Sequence, residues 1–243
     1  MHTQARPLAI ITGATSGIGA ATVEQVTATH HVIAIGRQPA ALDRLNNHPK
    51  VTPVALDLVD TFACTPGSTP TSLPATLAQL THVDLLIHAA GIAPIATVAD
   101  TDATTWSATL ALNVTVPARL TALLTPALRR AKGQVIFINS GAGRYPAKSM
   151  AAYVASKHAL VGLANTLRLE EQPHGVRVTT VYPGPVDTPM QQQMQAQQHP
   201  NTPYNADHYS TPEEIAAAIV ATTQAGPHSQ IEELVIRPHI PGG

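Results

Sequence analysis

The chain is poor in aromatic residues: two Phe, five Tyr and one Trp amount to 3% of 243 residues. Binding single-stranded nucleic acid by base stacking needs more rings than that. Charge is also sparse. Lys, Arg, Asp and Glu make up 12% of the chain and nearly cancel, leaving a net charge of −1. No basic field is available to hold a polyanion, so no nucleic-acid partner is expected. Cys64 is the sole cysteine, which excludes an intrachain disulfide and a thiolate metal cluster. The N-terminal MHTQARP runs into a strand without a signal-peptide core, and no apolar stretch reads as long enough to span a membrane. These readings predict a cytoplasmic protein. Histidine is plentiful, at twelve residues, but His30 and His31 are adjacent on a strand start and point apart. The others lack ligand spacing, so no metal site is expected.

What the chain does contain is short β-branched apolar runs alternating with alanine-rich helical stretches. The runs are Leu8–Ile11, Val32–Ile35, Val51–Leu56, Val83–Ile87, Val135–Ile138, Val176–Val181 and Leu234–Ile236. Helices are predicted over 17–28, 39–46, 72–80, 102–130, 150–172 and 212–224. Strands that are apolar throughout, rather than alternating, belong to parallel sheets covered on both faces. Right-handed crossovers then give a doubly wound, Rossmann-like α/β sheet of seven strands with helices on both faces. The length suits one such domain spanning 1–243. Thr211-Pro212-Glu213-Glu214 starts the last helix, with an N-cap, a first-turn proline and carboxylates at the positive end of the dipole. Cys64–Pro74, with three prolines among Ser and Thr, reads as a surface loop.

Between the first strand and first helix lies Thr12-Gly13-Ala14-Thr15-Ser16-Gly17-Ile18-Gly19. Glycines there allow a tight turn and let backbone amides approach a pyrophosphate at the helix N-terminus. No Lys-Ser/Thr follows, so a P-loop is excluded. Gly13, Thr15, Ser16, Gly17, Ile18 and Gly19 are therefore candidate dinucleotide contacts. An NAD site usually has an acidic residue about 20 positions beyond the glycines to hold the ribose 2′-hydroxyl. Here that place holds Gly36, followed by Arg37. A guanidinium can grip a 2′-phosphate bidentately and stack on adenine, so NADP(H) is favoured over NAD(H). Asp57, ending the third strand, is placed to meet the adenine edge.

Tyr153 and Lys157 are four residues apart, about one helical turn, and Ser140 lies upstream. A free tyrosine titrates near about pH 10 and is a poor acid or base at neutrality. A neighbouring ammonium stabilises phenolate and lowers that value, which fits the phenol to exchange a proton with an alcohol or carbonyl oxygen.

Together these elements resemble the short-chain dehydrogenase/reductase family in its compact form. The resemblance covers nearly the whole chain: Thr12–Gly19, Asp57-Leu58, His88-Ala89-Ala90-Gly91, Asn113, Ser140, Tyr153-Val154-Ala155-Ser156-Lys157, Pro183-Gly184 and Thr188. His88 departs from it, standing where the family usually has asparagine, and altered packing is expected there. The resemblance implies that Tyr153 is the proton donor in reduction and that Ser140 orients the substrate oxygen. It implies that Lys157 binds the nicotinamide ribose and lowers the tyrosine pKa, and that Asn113 supports a water linking Lys157 to solvent. Leu58, Ala89, Ala90, Gly91, Pro183, Gly184, Val186 and Thr188 are implied cofactor contacts, the last two holding the carboxamide.

On the substrate side, Met190 and Met194 fall on one helical face among glutamines. This segment reads equally as a substrate lid around 189–210 or as a surface helix tucking two methionines onto the body. Ala142, Arg144, Tyr145 and Pro185 are candidate pocket residues. Arg144 reads as a solvent-exposed loop charge and does not define a phosphate or carboxylate substrate. The expected activity is NADP(H)-dependent interconversion of a secondary alcohol and a ketone or aldehyde, on a small-molecule substrate. A non-catalytic NADP(H)-binding regulator is the alternative, since fold alone does not dictate function. Leu110, Val114, Ala118 and Ala122 on one helix, and Ala152, Leu160, Leu163 and Leu167 on another, are apolar beyond what one sheet face covers. Family members pair these two helices across a two-fold axis, which implies a homotetramer or homodimer.

Overall fold

Strand β1 (Leu8–Thr12) lies in the interior of the sheet because it is apolar on both faces, with Ile10 turned to one layer of helices and Ala9 and Ile11 to the other. In the computed structural model, which describes residues 6–62, 74–226 and 228–239, six further strands join it. These are β2 (His31–Gly36), β3 (Val51–Ala55), β4 (Leu85–His88), β5 (Gln134–Ile138), β6 (Arg177–Pro183) and β7 (Glu233–Ile236). All pair in parallel, in the order β3-β2-β1-β4-β5-β6-β7. Each expected apolar run falls on one of these strands. Pro53 interrupts the β3 run without cost to the ladder, since β3 is an edge strand.

The connecting helices are α1 (Gly17–Val26), α2 (Pro39–Leu42), α3 (Leu58–Phe62), α4 (Ala75–Ala78), α5 (Ala103–Leu110), α6 (Val116–Ala131), α7 (Ala151–Glu171), α8 (Pro189–Gln198) and α9 (Pro212–Thr223). On one face Leu120 and Leu124 of α6 and Leu160 of α7 pack against Ile10, Leu86 and Phe137. On the other, Val23 of α1 and Ile215 and Ile219 of α9 pack against Ala9, Ile11 and Ile136. Each such fully buried aliphatic side chain contributes about 1.5–3 kcal/mol relative to exposure. Helix α9 starts as expected: Thr211 accepts from Glu214 N at 3.2 Å and Glu214 accepts from Thr211 N at 2.8 Å.

The structure departs from the expectations in four places. Helix α3 was not anticipated; its five residues are too few for periodicity to reveal, and Asp57 caps it. Helix α4 covers only part of the expected 72–80, and the loop expected at Cys64–Pro74 lies outside the described residues up to position 73. The helix expected over 102–130 is continuous from Ala103 to Ala131 but relaxes into a π-turn at Ala111–Thr115. Its 29 residues, with a mean hydropathy of 1.2 in the most apolar window, also correct the reading that no stretch reaches membrane-spanning length. In this fold that helix is the crossover between β4 and β5 and lays Leu120, Leu124 and Leu128 on the sheet.

The strand order reverses between β1 and β4, with β2 on one side and β5 on the other. In open parallel sheets, the crevice at that switch point beyond the strands' carboxyl ends is where ligands bind.

Candidate active site

The crevice is built first by Thr12, the last residue of β1. Its hydroxyl accepts from the N–H groups of Ala89 and Ala90, both at 3.2 Å, tying the turn after β4 to the turn after β1. Gly19 then lets α1 lean onto that turn: a Cβ there would stand 2.1 Å from the Gly13 carbonyl oxygen. Gly17 adopts φ +49°, and a Cβ on it would meet the Thr188 methyl at 2.9 Å. Ser16 occupies the N-cap of α1 without a side-chain cap, and the first turn holds no acidic residue. The turn thus presents uncapped amides at the positive end of a helix, which fits the pyrophosphate of a dinucleotide. Gly36 explains the missing acid, because a Cβ there would stand 2.5 Å from the Thr15 methyl. Arg37, next in sequence, is exposed. A second guanidinium, Arg44, donates to the Thr15 carbonyl at 2.5 Å; sequence reading missed it, as only the fold brings it to the turn.

Beyond β5, Ser140 begins a short 3₁₀ turn and its hydroxyl accepts from Ala142 N at 3.1 Å. Helix α7 carries Tyr153 and Lys157, both buried, on the wall of the same cleft as Ser140. The helix and strand are fastened by a pair of opposed bonds: Lys157 Nζ donates to the Ile138 carbonyl at 2.9 Å, and Asn139 Nδ2 donates to the Lys157 carbonyl at 3.1 Å. Asn139 also accepts from Ser140 N at 2.8 Å, so one side chain orients both segments. Asn113 sits in the π-turn, fully buried. It pairs both ways with the backbone of Ile92, at 2.9 and 3.0 Å, and donates to Ser156 Oγ at 2.9 Å. Ser156 in turn donates to the Tyr153 carbonyl at 2.7 Å. Neither Asn139 nor Ser156 was given a role from sequence; Asn139 adjoins Ser140 and Ser156 lies within the Tyr153–Lys157 motif, and that position was the available signal.

The electrostatics correct one expectation. Burial raises the Tyr153 phenol above its ordinary value, with the Ser140 hydroxyl pulling the other way. Burial also lowers Lys157 to about 8. The ammonium is 5.7 Å from the tyrosine ring centroid and is engaged by Ile138, so desolvation of the phenol outweighs its attraction.

The cleft, of about 640 Å³, gathers Ile18, Ala89, Gly91, Ser140, Ala142, Tyr145, Tyr153, Lys157, Pro183, Gly184, Pro185, Val186, Thr188, Met190 and Met194 from the predicted site residues. Gly13, Thr15, Ser16, Gly17, Gly19 and Ala90 belong to the glycine turn and its neighbour, and Asn113 stands behind the wall. Asp57 turns its carboxylate onto the amides of Val59 and Asp60, at 2.9 and 3.1 Å, and Leu58 packs in the core. Thr188 caps α8 by accepting from Gln191 N at 3.2 Å. Arg144 is not a free loop charge: it pairs with Glu233 and lies 4.1 Å over the Tyr182 ring. His88 is packed away from the cleft, with Nε2 at 2.8 Å from Thr121 Oγ1 and its ring stacked on Phe137.

Comparison with known proteins agrees with this geometry. Residues 7–199 match the short chain dehydrogenase family. An uncharacterized oxidoreductase of Staphylococcus epidermidis is 27% identical over 233 residues, covering 95% of this chain and 96% of that one. Human dehydrogenase/reductase SDR family member 2 is 32% identical over 189 residues, 76% of this chain and 66% of its own. Among solved structures, a short chain dehydrogenase from Burkholderia cenocepacia in complex with NADP superposes with a TM-score of 0.78 at 26% identity, covering 96% of this chain and 88% of that one. A 4-hydroxyisoleucine dehydrogenase complexed with NADH gives 0.80 at 25% identity, covering 98% and 99%. The chain is an oxidoreductase fold of the nicotinamide-binding kind and belongs to the short-chain dehydrogenase/reductase family.

Proposed function

We propose that the chain is an NADP(H)-dependent oxidoreductase interconverting a secondary alcohol and a ketone, or a primary alcohol and an aldehyde. The observation that carries this reading is the placement of Ser140, Tyr153 and Lys157 on one wall of a cleft that opens beside the glycine turn. The bound cofactor supplies the hydride for the substrate carbon. In reduction, negative charge grows on the carbonyl oxygen, and two hydroxyl donors aimed at it stabilise that charge. Tyr153 gives its proton to this oxygen, so that carbonyl, NADPH and one proton become alcohol and NADP+. Ser140 donates to the same oxygen and orients it. A raised phenol pKa suits the donor, since the proton stays in place until the oxygen calls for it. Lys157 would hold the ribose hydroxyls, and Asn113 would keep a water at the π-turn that returns the proton from solvent. Val186 and Thr188 would hold the carboxamide, and Arg37 the 2′-phosphate.

The chain would act as one domain, with the segment around 189–210 as its lid; Met190 and Met194 of α8 line the cleft, as a lid requires. We further propose a homodimer or homotetramer formed through α5–α6 and α7. The test of the activity is consumption of NADPH with a panel of ketones and aldehydes. A folded protein that binds NADPH and turns over none of them is a regulator and not an enzyme.

A further inference from the structure

The cleft has an unusual charge pattern. Its titratable lining comprises Arg144, Lys157, His208, Arg237 and three tyrosines, and no Asp or Glu lines it among the described residues. Two of the cations are already engaged. Arg144 is held by Glu233, which also accepts from the Tyr182 hydroxyl at 3.0 Å. Lys157 donates to the Ile138 carbonyl and belongs to the proton-transfer group. Arg237 is different. It follows directly on β7, where the Gly184 N–H bonds to the Ile236 carbonyl at 2.6 Å and sets the β7 end against the end of β6. Its guanidinium reaches over the Tyr145 ring, 5.6 Å from the centroid. It has no carboxylate partner among the described residues.

A cation–π approach to a ring uses none of the guanidinium's N–H donors, which stay available in a planar fork. That fork matches the two oxygens of a carboxylate. Tyr145 lies five residues after Ser140 in the same turn, with its N–H bonded to the Gly141 carbonyl at 3.0 Å. The cation is therefore presented by the loop that also presents the hydroxyl meant for the reacting oxygen. Met150, Pro185, Val186, Met190 and Met194 add apolar surface to the lining, beside the uncharged polar groups of Asn139, Thr188 and Gln191.

We propose that the substrate is a small oxo acid or hydroxy acid, and that Arg237 binds its carboxylate while Ser140 and Tyr153 meet its carbonyl or hydroxyl oxygen. This rests on the oxidoreductase reading above and names its substrate class. The apolar part of the lining encloses the short carbon chain between the two ends. Glu233 fixes Arg144 and thereby leaves one unpaired cation to fix the substrate's orientation.

The experiment compares a set of oxo acids, differing in the spacing of carbonyl and carboxylate, with their methyl esters. With NADPH, the best oxo acid should exceed its ester in kcat/KM by about tenfold or more, the usual range for a charge-assisted contact. Arg237→Gln should lower that acid-to-ester ratio by about 10- to 100-fold, chiefly through KM, and Arg237→Lys should retain part of it. Equal rates for acid and ester in the wild type, or an unchanged ratio in Arg237→Gln, overturn the proposal while leaving the oxidoreductase reading intact. If no carbonyl compound is reduced at all, that reading fails instead, and calorimetric titration with butyrate decides the present point. Weaker binding to Arg237→Gln than to wild type supports the carboxylate site, and equal or undetectable binding to both overturns it.

Discussion

The ammonium of Lys157 donates to the backbone carbonyl of Ile138 at 2.9 Å. That bond anchors the side chain to the end of β5, and burial there lowers its pKa to about 8 from an ordinary value near 10.5. The lowered value makes the charge state of the free enzyme pH-dependent. Below about pH 8 the group is an ammonium; as pH rises through that value it loses its proton, well before an exposed lysine would. If the ammonium is the form that receives the cofactor, kcat/KM for NADPH should fall above about pH 8. This parameter reports groups of the free enzyme. Lys157→Met should be far slower and should lack the alkaline limb. A wild-type profile flat to pH 9.5 would contradict the role given to this residue.

Tyr153→Phe removes only the hydroxyl from a buried ring on α7. The fold and NADPH affinity should persist, while turnover drops by about two orders of magnitude or more, the scale of general acid–base catalysis. Stopped-flow turnover with unchanged cofactor binding checks this. Near-normal turnover in the folded variant would remove Tyr153 as the proton donor.

The proposed preference for NADPH rests on Arg37. A guanidinium reading a 2′-phosphate makes a charge-assisted contact of about 1.5–3 kcal/mol. NADPH should therefore bind more tightly than NADH, and Arg37→Ala should weaken NADPH by about 10- to 100-fold while sparing NADH. Fluorescence titration with both cofactors separates the outcomes, and equal losses for the two would assign Arg37 another role. The Arg44 guanidinium beside Thr15 offers an internal comparison.

The strands were legible because a parallel sheet buried on both faces writes itself as continuous apolar runs, such as Val135–Ile138. The glycine turn and the Tyr153/Lys157 spacing were legible because their geometry is local. Contacts that depend on chain crossings were not. Arg237 reaches the cleft only because β7 pairs beside β6, which its own residues do not encode. The clamp made by Asn139 joins residues 18 apart in sequence. The cap that Asp57 places on α3 was not legible, because five residues are too few for periodicity to reveal a helix there. The raised phenol of Tyr153 could not be read either, since depth of burial is a property of the assembled layers.

The surface available for the proposed assembly is narrower than the sequence indicates. Ala152 and Leu160 fill the chain's own core, whereas Leu110 and Leu123 are more than a third exposed and Leu169 is 73% exposed. Large apolar side chains left at a surface are normal singly, but on adjoining crossover helices they suit a two-fold contact. Light scattering at micromolar concentration should give a dimer or tetramer mass, and Leu110→Lys should shift it toward monomer. A monomer mass with full activity in the unmodified chain defeats the assembly proposal.

His88 carries the final prediction. Its ring is buried between Thr121 and Phe137, its Nδ1 has no hydrogen-bond partner among the described residues, and burial lowers its pKa from 6.5 to about 3. In the unfolded chain the same imidazole takes up a proton as pH falls below about 6.5, while the folded chain excludes it until about pH 3. Over that window the unfolded state binds more protons, so acid must favour unfolding. Stability is full above about pH 6.5 and falls progressively toward pH 3, by on the order of several kcal/mol if the ring stays dry. His88→Asn removes the titrating group but leaves a gap beside Phe137, costing about 1–3 kcal/mol at pH 7. The wild type's advantage should therefore shrink as pH drops from 7 and reverse in sign by about pH 4, readable in urea midpoints. Parallel pH dependence of the two proteins would mean that His88 is protonated within the fold, and the dry ring between Thr121 and Phe137 would have to be abandoned.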